Sequence, residues 1–139
     1  MSRRSDDLLP QAARFLELLE LAYNAELTRV CHVMKALECA QDESLRREWR
    51  ARISEARARA AMLARMLSEL GADPAGASAA ASSDRGDCLL DAMELALRNG
   101  DLAAAEAVAR ECVLLAEVHC TQAWRRMQEA MTVGATLAA

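Results

Sequence analysis

The chain has 139 residues, a length that makes one domain with room for a core needing no metal or disulfide staples. Only 3% of it is aromatic, while 31 residues are alanine and 20 are leucine; with strand formers this scarce, the composition excludes a β-sandwich, a barrel and almost any α/β fold. Twenty-one acids against 17 bases give a net charge of −4, which disfavours nucleic acid as the main partner.

No apolar run approaches the ~20 residues of a membrane span, so no membrane partner is expected. The segment MSRRSDDLLPQAARF lacks the uninterrupted apolar region of a signal peptide. Five cysteines, an odd number with no CxxC pair, fit a reduced compartment. A cytoplasmic location is therefore expected.

The first helix is predicted over residues 6–40, with Pro10 near its start, where the first turn tolerates proline. Leu16, Leu19, Tyr23, Leu27, Val30, Met34 and Leu37 recur at spacings of three and four and form one apolar stripe. Gln41-Asp42-Glu43-Ser44 breaks the stripe, and Asp42 is placed to cap the next helix. That second helix, to about Leu70, carries the stripe Leu45, Trp49, Ile53, Ala56, Ala60, Leu63, Leu67 and Leu70. Seven arginines off the stripe give it a basic outer face. Gly71 is placed to end it and Pro74 to prevent a restart.

Residues 71–86 are small and polar and read as a linker. A short third helix follows, capped by Asp84 or Asp87 and ending near Arg98. Asn99-Gly100-Asp101 combines a stop with a new cap. The fourth helix is predicted over 102–132, with Ala105, Val108 or Ala109, Cys112, Val113, Ala116, Cys120, Ala123, Trp124, Met127 and Met131 on its stripe. The expected organisation is a single domain, 1–139: a helical hairpin over 6–70, a linker over 71–86 and a second hairpin over 87–132. Its short connections predict an all-α, up-down-up-down four-helix bundle. Because the third helix is short, Cys120, Trp124, Met127 and Met131 are expected to lack a partner within the chain, which predicts a homodimer.

Tyr23-Asn-Ala-Glu26, Asp42-Glu-Ser-Leu45, Trp49 and Leu70-Gly-Ala-Asp-Pro74 occur in the order and spacing in which the chain resembles small bacterial members of the ferritin-like superfamily, over residues 8–130. The resemblance implies a ferritin-like bundle and a stress-associated role. That superfamily's di-iron centre takes a Glu from each of two helices and Glu-x-x-His from each of the other two. No Glu-x-x-His occurs in this chain. Glu26 (or Glu20) on the first helix, Glu55 on the second, Glu94 on the third, and Glu117 with His119 on the fourth are the candidate metal ligands of a degenerate site. Glu55 has Ala58 where the motif needs His, and Arg57 and Arg59 beside it oppose a divalent cation.

Two further motifs compete. Cys31-His32-Val-Met-Lys35-Ala36 resembles the histidine of two-component phosphotransfer domains, where a solvent-facing His is phosphorylated and a Lys one turn on assists; His32 lies off the apolar stripe, so exposure is expected. Cys31 with Cys39, and Cys112 with Cys120, join Met34, Met66, Met127 and Met131 as soft ligands of the kind that hold Cu(I). Residues eight apart on a helix are ~12 Å apart and cannot chelate one ion together, so core packing is the expected role. The expected function is a non-catalytic ferritin-like protein acting through protein contacts or weak metal binding. No cofactor is expected beyond iron or another divalent metal at low occupancy. The alternatives are phosphotransfer through His32 with Lys35, and a residual metal-dependent oxidase.

Overall fold

Four helices follow one another along the chain: α1 (Ser2–Cys39), α2 (Glu43–Glu69), α3 (Asp84–Arg98) and α4 (Leu102–Ala138). The structure is a computed structural model that describes residues 2–74 and 84–138, with side chains over 10–74 and 85–132. Among the described residues there is no strand.

The helix ends are set by local chemistry. The Asp42 side chain accepts from the Ser44 N–H at 3.2 Å and caps α2, and the Asp101 side chain accepts from the Ala104 N–H at 3.1 Å and caps α4. Gly71 and Gly100 adopt φ of +83° and +70°, the left-handed conformation that closes a helix C-terminus. Behind them the Ala72 N–H donates to Leu67 and the Asp101 N–H to Ala96, at 2.9 and 3.0 Å, which satisfies carbonyls the helix leaves open.

Three boundaries depart from expectation. α1 begins at Ser2, so Pro10 lies inside it rather than in its first turn. α3 begins at Asp84, three residues inside the expected linker, which places Asp87 within the helix rather than at its cap. α4 continues to Ala138 instead of stopping near 132. Residues 75–83 of the expected linker lie outside the described residues.

α1 is the central element. Val33, Ala36, Cys39 and Ala40 pack with Leu45, Trp49 and Ile53 of α2, Met93 and Ala96 of α3, and Ala105, Ala109, Cys112 and Val113 of α4. A second cluster joins Leu18, Leu19 and Ala22 of α1 with Leu63 and Leu67 of α2 and Met127 of α4. The late part of α1 thus meets the early parts of α2 and α4, and its early part meets their late parts. α2 and α4 therefore both run antiparallel to α1. α3 contributes no buried residue to the second cluster.

The second cluster corrects the expectation about α4. Cys120 and Met127 are buried and Trp124 is half-buried, all within one chain: Cys120 lies against Ala25 of α1, and Met127 packs with α1 and with Leu63 and Leu67 of α2. The argument for a subunit interface there loses Cys120 and Met127 and keeps Trp124 and Met131. Met131, also expected on the stripe, is 50% exposed. The α2 stripe is buried as expected except Leu70, which lies past the helix end.

The α1 stripe is rotated from its expected position. Leu27 and Met34 are exposed, whereas Ala22, Glu26, Arg29, Val33 and Ala36 form the buried face. Polar residues occupy two consecutive turns of that face, between the two apolar clusters.

Candidate functional site

Glu26 is fully buried, and Arg29, one turn on, is 2% exposed. Their spacing of three puts them side by side on α1, with Arg29 Nη2 3.2 Å from Glu26 Oε2. α4 supplies the other half of the site. Arg29 Nη1 donates to Glu117 Oε2 at 2.8 Å, and the Trp124 indole N–H donates to Glu26 Oε1 at 3.0 Å. α2 closes it: Arg52 Nη1 lies 3.2 Å from Glu117 Oε1, and Glu55, itself paired with Arg59 at 2.7 Å, reaches Arg29 at 4.0 Å. The result is an ionic layer between two apolar clusters, built by three helices.

Glu26, Glu55 and Glu117 face Arg29, Arg52 and Arg59, and Arg52 pairs in addition with Glu48 at 2.9 Å. Burial opposes the charge on Arg29, but Glu26 and Glu117 more than offset it, and its pKa lies above the ordinary value. A layer of this kind adds little net stability, because desolvation consumes much of the attraction.

The candidate metal ligands separate into two groups. Glu26, Glu55 and Glu117 converge, but on a guanidinium. Glu94 lies on the surface of α3, paired with Arg98 at 2.8 Å, and His119 is exposed on α4. Among the described residues no three His, Cys, Asp or Glu side chains form a group able to hold a metal ion. The donor set does not fit a two-metal carboxylate centre: three arginines stand among its carboxylates and would repel a second cation. Arg29, Arg52 and Trp124 are the members of this site that pattern reasoning missed. The signal for Arg29 was the Glu26-x-x-Arg29 pair itself; nothing local pointed to Glu117, 88 residues away.

The other motifs fare differently. His32, expected to face solvent, is 6% exposed. Burial lowers its pKa, with Asp87 of α3 pulling the other way and His119 of α4 adding to the depression. A phosphoryl donor would have no open approach to it.

Cys120 donates its S–H to the Ala25 carbonyl at 3.1 Å, and burial pushes its pKa up to about 12. Burial likewise holds Cys112 up at about 11 and raises Cys39. Thiols this hard to ionise are poor nucleophiles and poor metal ligands, and they serve as packing. Of the four methionines expected to face inward, Met127 is buried and Met66 half-buried, while Met34 and Met131 are exposed.

Beside the ionic layer, α2 and α4 diverge around a cleft of about 490 Å³. Arg29 and Glu117 reach it from the layer, and Arg59, Met62, Trp124 and Arg125 line it further out. The Arg59 guanidinium lies 5.9 Å from the centre of the Trp124 ring, within cation–π range. No family model, no curated protein and no solved structure matches the chain.

Proposed function

We propose that this chain is a ferritin-like, up-down-up-down bundle in which an arginine cation takes the place that two metal ions occupy in that superfamily, and that it works by binding rather than by catalysis. The single observation behind this reading is the position of Arg29, 2.8 Å from Glu117 and 3.2 Å from Glu26. A side-chain cation covalently held among these carboxylates is always present, whereas a metal would have to displace it and meet two more guanidinium groups. The protonated thiols and the buried His32 leave the described core without an evident nucleophile.

A cytoplasmic location and a stress-associated role belong to the same proposal and rest on the resemblance and on cysteine usage. A homodimer belongs to the same proposal, with Trp124 and Met131 as the part of the expected stripe that one chain leaves accessible. The test is oxidation of added Fe(II) in air by protein purified without chelator. The rate is expected to equal that of buffer. Turnover that disappears in Glu117→Ala would overturn the reading.

A further inference from the structure

We infer that the outward face of α4 is where a second copy of this chain docks, antiparallel, with Val118 on the twofold axis. This rests on the homodimer reading above and gives that dimer a surface other than Trp124 and Met131. Ala107, Glu111, Leu114, Val118, Thr121 and Arg125 follow one another at spacings of four and three, and all are exposed. That alternation is the seam of a helix that packs along another helix. Within the chain α4 already buries the opposite side, from Ala105 to Met127. The outward seam is therefore a second apolar stripe on one helix, with Leu114 67% and Val118 50% exposed at its centre.

The charges at its ends say what covers it. Glu111 lies seven residues before Val118 and Arg125 seven after it, two turns or ~10 Å on either side. Neither makes an ion pair with any described residue. At ~21 Å apart on one helix they cannot reach each other. An isologous contact needs a surface that complements itself. An apolar centre with an acid and a base at equal distances on either side is such a surface. Antiparallel docking about Val118 brings Glu111 to Arg125 of the partner subunit, twice, whereas parallel docking would set Glu111 against its own copy. Arg110, at the edge of the seam, is already held by Glu106 at 3.2 Å, and Glu129 meets Ala107 of the partner subunit in this register. One helix against one helix is small beside the ~800 Å² per partner of a standard interface, so the dimer is expected to be a weak one.

Sedimentation equilibrium of the full chain over a range of micromolar concentrations tests this, with circular dichroism to check that each variant keeps its helicity. Wild type is expected to pass from monomer to dimer as concentration rises. Leu114→Glu should abolish the dimer, and Met131→Glu should leave it unchanged. Glu111→Arg sets two like pairs in place of two unlike ones and should weaken the dimer by about tenfold. Adding Arg125→Glu to Glu111→Arg should restore most of the affinity. Because the two positions cannot meet within one chain, only contact between copies explains that rescue. Indifference to Leu114→Glu, or no rescue in the double variant, would overturn the inference. A dimer lost in Met131→Glu and kept in Leu114→Glu would overturn this face while leaving the homodimer reading in place, and a monomer at every concentration would overturn both.

Discussion

Replacing Arg29 with methionine removes the cation at the centre of the ionic layer while keeping most of its volume. The consequences differ among its three carboxylate neighbours. Glu117 is 24% exposed and keeps Arg52 at 3.2 Å; Glu55 is 49% exposed and keeps Arg59 at 2.7 Å. Only Glu26, with its side chain 0% exposed, is left with the Trp124 N–H as its sole strong partner. The penalty therefore concentrates on one buried carboxylate. Breaking a buried pair from one side costs about 3–5 kcal/mol, against a total stability of about 5–15 kcal/mol. At this chain length that is a fall in Tm of ~10–20 °C. Adding Glu26→Gln to Arg29→Met should recover more than half of the loss, since it removes the stranded charge. Chemical denaturation of wild type, Arg29→Met, Glu26→Gln and the double variant measures this. A loss under ~1 kcal/mol, or no recovery in the double variant, would refute the buried-pair argument.

Three other outcomes are expected. Because the folded-state pKa of His32 lies below its ordinary value, the unfolded chain takes up the proton first as pH falls below about 6.5. Tm should drop between pH 7 and pH 5.5, and the slope should flatten in His32→Gln. Iodoacetamide at pH 8 should modify exposed Cys31 and Cys88 quickly and leave Cys39, Cys112 and Cys120 until denaturant is added, which mass spectrometry after digestion reads directly. Gly71→Ala should cost about 1 kcal/mol by denaturant titration, since the methyl group meets nothing within 4 Å but the φ of +83° is unfavourable to it; a neutral result would show that the turn relaxes.

How much of this was legible in the chain differs by helix. α2 has an uninterrupted apolar stripe, so its buried face from Leu45 to Leu67 follows from spacing alone. Asp42, Gly71, Gly100 and Asp101 act through local geometry and were readable for the same reason. α1 misleads because its buried face carries Glu26, Arg29 and His32. Hydropathy ranks those positions as surface and promotes Leu27 and Met34, which turn out to be exposed.

The candidate site was half visible. Glu26, Glu55 and Glu117 were named and do converge. What holds them is a cation whose partner on α4 is 88 residues away, and no local pattern encodes that pairing. Glu94 was grouped with them by its place on the third helix. α3, however, contributes to the apolar cluster at one end of the bundle and not to the ionic layer.

The most direct test of the central claim is the metal content, by elemental analysis, of the full chain purified without chelator from cells grown with ample iron. With Arg29 lodged between Glu26 and Glu117, well under one transition-metal ion per chain is expected, and dialysis against a chelator should leave Tm unchanged. About two ions per chain, lost together with stability on dialysis, would contradict it.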